Sequence, residues 1–315
     1  MKRILSLLCA AAVISAAVLC GCGSDQGSSG AGGSSQSSAQ DGGTVAPTTA
    51  QPLTDSTVKT TGGKVHITDN TLGDIWISEL EGVALNKLNA DGFTSDAAFK
   101  YYSEGGKPAS EEGIDISSFS GKVDWVQVKE SGVDFAMIRL GGRSYGAEGK
   151  LYTDDSALDY ISGAREAGIK VGAYFFSQAT TNAEAEEEAE YAHSILGDIK
   201  LDYPLAYDWE IIKDDNARTD GITATQATEC AAAFCEKAKA LGYVPMVYSA
   251  SREFYFKYDL TRLKDYQLWL AQYADVPNFY YEFSMWQYSD HGKVEGIEGT
   301  VDLNICFTGV APYAK

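Results

Sequence analysis

Residues 170–210, KVGAYFFSQATTNAEAEEEAEYAHSILGDIKLDYPLAYDWE, read as strand, helix, strand. KVGAYFFS is an apolar, β-rich run. NAEAEEEAEYAHSILG is a helix-like run that stops on Gly197, the residue type favoured just past a helix C-terminus. YPLAYDWE is a second apolar run. Units of this kind lay their strands side by side and parallel. The pattern extends in both directions. Upstream lie GIDIS (113–117), DWVQVKESG (124–132), FAMIRLG (135–141) and DSALDYISGAREAG (155–168). Downstream lie TATQATECAAAFCEKAKALG (223–242), VPMVYSA (244–250), YQLWLAQY (266–273), FSMWQYS (283–289) and VDLNICF (301–307). Gly132, Gly168 and Gly242 close the other helical runs, and Thr223 stands where an N-cap belongs. Eight strand candidates in regular alternation predict an α/β barrel. The last three are joined by stretches with little helical pattern, so the barrel is expected to lack most of its late helices.

Barrels of this kind carry their chemistry at the C-terminal ends of the strands. Four acids meet that criterion. Asp208 and Glu210 end the fourth strand two residues apart, which puts both on one face with Trp209 on the other. Asp115 sits between Ile114 and Ile116 in the first strand, where an unpaired carboxylate costs several kcal/mol. Asp302 opens the last strand, and in a closed barrel the last strand lies beside the first. Two carboxylates held close do not share one ionisation behaviour, and a protonated acid beside an ionised one is what glycosidic bond cleavage uses. Around the acids, Tyr174, Tyr248, Tyr273, Trp286 and Gln287 fall near strand ends, as does Arg139 in the second strand. Aromatic faces and amides of this kind suit a saccharide groove better than a phosphate or a metal.

Composition narrows the alternatives. The chain has 315 residues and a formal net charge of −19, with 44 acidic and 25 basic residues, and no basic patch interleaved with aromatics. Nucleic acid is therefore not an expected partner. No glycine-rich phosphate loop opens a helix, and His66, His193 and His291 have no metal-ligand spacing, so neither cofactor nor metal is expected. Lys2 and Arg3 precede an apolar run to Leu19 and then LCGC, the pattern of a secretory leader. Residues 1–22 are read as that leader, and Leu19-Cys20-Gly21-Cys22 resembles a bacterial lipoprotein processing site with Cys22 as the acylated residue. Residues 23–64 are rich in Gly, Ser, Gln and Thr and predict a flexible tether with a span of roughly 35 Å. Residues 65–112 include DIWISEL and TSDAAFKYYS, too short a segment to fold alone, and are expected to pack on the following domain. Cys230, Cys235 and Cys306 are expected as buried thiols without a bridge. The acidic run Glu184, Glu186, Glu187, Glu188 and Glu190 is expected to be a solvated helix face.

Taken together, GIDISSFSGKVDWVQVKESGVDFAMIRLGGR, KVGAYFFS, YPLAYDWE, GYVPMVYS, YQLWLAQY and MWQYSDHGKVEGIEGTVDLN resemble glycoside hydrolase family 25, the Chalaropsis-type lysozymes or N-acetylmuramidases. The resemblance covers about 113–308 and implies a (β/α)5(β)3 barrel over 113–310. It implies cleavage of the β-1,4 bond between N-acetylmuramic acid and N-acetylglucosamine in peptidoglycan strands. On it, Glu210 is the general acid, and Asp208 stabilises the reacting centre or orients the substrate's acetamido group. Asp115 and Asp302 shape the acid site. The expected protein is a monomer, lipid-anchored outside the cytoplasm and facing the wall. A wall-binding lipoprotein that keeps the groove without turnover is the alternative. Two positions depart from the family pattern: Phe119 and Ser120 in SSFSG, where many members have a His or Tyr followed by Gln, and Phe175, where many have His. Both departures bear on substrate contacts.

Overall fold

The structure, a computed structural model, describes residues 60–212 and 216–310. The leader, Cys22 and most of the expected tether lie outside these residues. The first described elements are β1 (Thr60–Asp69) and β2 (Gly73–Leu80), an antiparallel hairpin that begins before the expected boundary at 65. A meander of β3 (Phe93–Ser95), β4 (Lys100–Glu104) and β5 (Lys107–Pro108) follows. The barrel then runs β6 (Ser110–Ile116), α1 (Trp125–Glu130), β7 (Phe135–Arg143), β8 (Leu151–Thr153), α2 (Ala157–Glu166), β9 (Lys170–Ser177), α3 (Asn182–Leu196) and β10 (Leu205–Trp209). It continues with α4 (Ala224–Ala240), β11 (Pro245–Ala250), α5 (Ser251–Phe256), α6 (Leu260–Leu263), β12 (Gln267–Ala271), β13 (Met285–Gly292) and β14 (Val301–Phe307). The strands pair in the order β6-β14-β13-β12-β11-β10-β9-β7, and β7 pairs back to β6 to close the ring, with β8 a short addition on β7. All pairings within the ring are parallel except those of β14, which runs antiparallel to both β13 and β6.

The expected barrel is present, and the late connections are as the sequence predicts: α5 and α6 are single short turns, and no helix separates β12 from β13 or β13 from β14. Gly132, Gly168, Gly197 and Gly242 all take positive φ just past their helices, a conformation that costs glycine no Cβ clash. Thr223 caps α4 in a full capping box with Gln226.

Strand alternation sorts the side chains into two layers. Inside the barrel pack Phe135, Met137, Tyr203, Met246, Trp269 and Met285, with Phe135 stacked on Tyr203 at 4.4 Å. Outside, between strands and helices, pack residues such as Ile114, Ile116, Ile138, Trp209 and Phe234. The N-terminal segment joins this outer layer. Ile77, Leu80, Phe99 and Tyr102 are buried in it, and Tyr102 meets Phe307 edge-on at 5.5 Å. Buried Asp69 at the end of β1 accepts from Gln272 Nε2 at 2.7 Å and from the backbone of Thr71 and Leu72, tying the hairpin to the rim after β12.

The acidic run on α3 departs from expectation at two positions. Glu188 is fully buried and paired with Arg143 Nε at 2.7 Å, and its carboxyl is pushed up to about 7 by burial. Glu184 is half-buried and binds Arg218 at 2.5 Å. Only part of the run is a solvated face, because α3 packs flat on β7 and β9 and its inner side carries Glu188 with Ala185 and Ala189. Cys230, Cys235 and Cys306 are buried in the core.

Candidate active site

The inner layer ends at the C-terminal mouth in a set of polar residues contributed by most strands. Asp115 of β6 stands opposite Asp302 of β14 in register, the antiparallel β14 bringing its start to the end where β6 finishes. The two carboxyls are hydrogen-bonded to each other. Asp115 Oδ2 also accepts from Gln287 Nε2 and Asn304 Nδ2, both at 2.8 Å. Burial raises Asp115 above the ordinary carboxylate range and the hydrogen bonds from Asn304, Gln287 and Asp302 oppose the rise, whereas Asp302 is pushed up to about 9 by burial and then by the Asp115 charge beside it. Asp115 is thus the member of the pair that ionises first, with Asp302 as its hydrogen-bond donor.

Asp208 is buried near the end of β10, and Glu210 follows one residue past the strand with its side chain exposed at the mouth. They hydrogen-bond each other, while Trp209 turns outward to meet Tyr258, as the two-residue spacing predicts. Burial, then the charge of Glu210 and then that of Asp115, drives Asp208 well above the ordinary carboxylate range, and Arg139 opposes the rise. Glu210 as a residue is open to water, yet protein crowds its carboxyl enough that desolvation, then Asp115, pushes it up to about 7. Two carboxyls in contact and both raised retain a proton between them at neutral pH. Asp208 Oδ1 is buried with no hydrogen-bond partner among the described residues.

The supporting residues follow from register. Arg139 lies opposite Tyr174 across β7 and β9. Its guanidinium is clamped by Asp154 at 2.7 Å and leans over Phe119, 4.8 Å from the ring centroid. Tyr248 pairs with Asp208 across β10 and β11 and donates to Gln287 Oε1 at 2.9 Å. Tyr273, just past β12, donates to the same oxygen at 3.1 Å. Tyr174, Arg139, Tyr248, Tyr273 and Gln287 are therefore gathered with the four acids. Trp286 is not. Its neighbour Gln287 faces inward, so Trp286 faces outward, fully buried against Phe93 and Tyr288, with Nε1 donating to Gln272 O at 2.7 Å. Phe175 likewise faces α3, edge-on to Tyr191, so that departure from the family pattern is a packing change rather than a groove contact. Phe119 is a rim residue, 83% exposed.

Three residues belong to the site without having been singled out. Asn304, two positions after Asp302 on the same face, shares the spacing that marked Asp208 and Glu210; Trp269 Nε1 in turn holds Asn304 Oδ1 at 2.8 Å. Asp154 is buried and also accepts from Ser118 N and Oγ at 3.1 Å, fixing the turn after β6. Gln178 donates to the Glu210 carbonyl at 3.3 Å while Thr219 donates to its side-chain oxygen at 2.7 Å, which fixes the backbone carrying the acid. Among the described residues no group of three His, Cys, Asp or Glu is disposed to hold a metal ion.

An eight-stranded barrel with a mutually hydrogen-bonded carboxyl pair at the end of its fourth strand is an arrangement that glycosidic bond cleavage can use. Residues 114–297 match the description Glycosyl hydrolases family 25, and the chain belongs to that family. It is 33% identical over 201 residues to the Autolytic lysozyme of Clostridium acetobutylicum, a match covering 63% of this chain and 56% of that protein. It is 28% identical over 204 residues to Lysozyme M1 of Streptomyces globisporus, covering 61% and 66%. The chain thus spans less than two thirds of the length of either relative. The fold also matches the crystal structure of the bacterial lysozyme from Streptomyces coelicolor, with a TM-score of 0.51 at 24% identity, over 65% of this chain and 98% of that one.

Proposed function

We propose that the protein is a peptidoglycan muramidase that hydrolyses the β-1,4 bond between N-acetylmuramic acid and N-acetylglucosamine. The observation that carries this reading is the Asp208–Glu210 pair, in which the exposed member is raised to about 7 and the buried member keeps an unpartnered oxygen. Glu210 is the group that reaches the leaving oxygen, and at neutral pH it still has a proton to give. Asp208, beside Arg139 and Tyr174, hydrogen-bonds Glu210 and supports its carboxylate as the proton leaves for the substrate. Its free Oδ1 is the acceptor that an acetamido N–H would satisfy, so that the substrate's own carbonyl oxygen, or water, meets the anomeric carbon. Both carboxyls come from one strand end and approach from one side, which leaves no protein nucleophile for the opposite face of the sugar. Asp115 acts through charge, favouring the protonated form of Glu210, and Asp302 acts through its hydrogen bond to Asp115. Family membership and relatives named as lysozymes support the reading.

The leader and Cys22 extend the proposal to place the enzyme, as a monomer, outside the cytoplasm on a lipid anchor facing the wall. Two or three acyl chains hold firmly to a bilayer. Glu210→Gln tests the chemistry. It is expected to abolish release of reducing ends and of muropeptides identified by mass spectrometry, with Tm unchanged. Retained turnover in that variant would overturn the assignment of the acid. Mass spectrometry of the mature N-terminus tests the anchor, which requires a diacyl or triacyl Cys22.

A further inference from the structure

The family match begins at residue 114, but the N-terminal segment reaches the same mouth of the barrel. A cleft of about 640 Å³ opens there, within the range of small-ligand sites. One wall is the turn 95–100 between β3 and β4; the other is the rim formed by Tyr273–Asp275, Ser289, His291 and Lys293. The wall is built rather than incidental. Asp96 Oδ1 accepts from the backbone of Ala98 and Phe99 at 2.8 Å, closing the turn. Lys100 reaches across to Asp275 at 3.2 Å, and its backbone N–H donates to Tyr288 Oη at 3.2 Å. Tyr273 belongs to both places: it is 51% exposed in the cleft, and its hydroxyl holds Gln287, which holds Asp115.

We infer that this cleft is a distal saccharide subsite, holding a further sugar of the glycan strand beyond those flanking the cleaved bond. The inference rests on the muramidase reading above. The cationic groups of the cleft are already matched: Lys100 by Asp275, His291 by Asp290, and Lys293 by the Gly299 carbonyl at 2.7 Å. None is left to meet the carboxylates of a stem peptide. What remains for a ligand is the Tyr273 ring and the hydroxyls of Ser95 and Ser289, which suit the apolar face and hydroxyls of a neutral sugar. The subsite is supplied by a segment outside the family's own domain, so substrate preference here depends on residues the barrel does not contain.

Ala97 is exposed in the turn and lines the cleft, so Ala97→Trp fills it without touching the acids. Ser95→Trp serves as a second variant should the first lower Tm. Peptide-free glycan strands are compared with a tetrasaccharide of the same composition. The wild-type protein is expected to prefer the long strands in kcat/KM, and the Trp variant to lose about tenfold on them while matching the wild type on the tetrasaccharide. Absence of a length preference, or a preference that survives the substitution, overturns the subsite. A defect confined to strands carrying stem peptides also overturns it, and assigns the cleft to peptide. If the wild type cleaves neither substrate, the muramidase reading fails on its own. Affinities for the two lengths then decide the subsite by the same criterion.

Discussion

Asp115→Asn separates the electrostatic role of Asp115 from its structural one. Asn keeps an oxygen for Gln287 and Asn304 to donate to, and its amide can donate to Asp302, so the local hydrogen bonds are preserved in number. What disappears is a negative charge. Glu210 stands at about 7 against an ordinary 4.5, with burial the larger cause and the Asp115 charge the next. Close charge pairs shift a carboxyl by roughly 1–3 pH units, and water at the open mouth keeps the effect near the lower end. Removing the charge should therefore bring Glu210 down by about one pH unit. A general acid works while it is protonated, so activity falls as pH rises through its pKa. The alkaline limb of kcat/KM should move to lower pH by that amount, with activity near pH 5 kept. The assay is release of reducing ends from purified peptidoglycan across pH 4–9. An alkaline limb that stays in place, or moves upward, would refute the claim that Asp115 holds the Glu210 proton.

Other perturbations probe the same geometry. Asp302 is raised from 3.8 to about 9, so the native state keeps a proton that the unfolded chain releases between those values. Its contribution is complete below about pH 4 and declines as pH rises to 9, so Asp302→Asn should flatten the fall of Tm with pH; parallel curves for variant and wild type would be the contrary result. Arg143→Met leaves Glu188 buried without its partner and should cost about 3–5 kcal/mol at pH 8 by urea unfolding. Because Glu188 titrates at about 7, that cost should shrink at pH 5; a pH-independent defect would count against the pairing. Phe119→Ala removes an exposed ring from the rim and should raise KM about two- to tenfold with Tm unchanged. An unaltered KM would remove Phe119 from the groove.

The order of strands and helices was legible because barrel strands are apolar runs and their helices stop on glycine, both local signals. The juxtaposition of Asp115 and Asp302 followed from closure alone, once eight strands were counted. The errors lie where one rule was set aside for residue type. Trp286 and Gln287 are adjacent on a strand and cannot both face the groove; alternation chose Gln287. Asn304 obeys the same alternation from Asp302, but its partner Asp115 lies 189 residues away in sequence and no local pattern joins the two. Glu188 was hidden by its own neighbours: in a run of glutamates nothing local marks the one whose partner, Arg143, sits on β7, four elements earlier. The N-terminal hairpin had a readable strand in DIWISEL, but its attachment through Asp69 to Gln272 spans most of the chain, and no short-range pattern encodes it.

The antiparallel β14 has a consequence for when the acid cluster becomes complete. The partner of Asp115 arrives only with the final strand, so a chain still being made, or one cut before Val301, has an open ring in which the charge that holds the Glu210 proton has neither Asp302 nor Asn304 beside it. Non-local pairing of this kind forms slowly, because the loop must close before its contacts can stabilise it. Closing the ring and completing the acid cluster are thus a single event. The topology itself delays completion of the acid cluster until the last strand is in place.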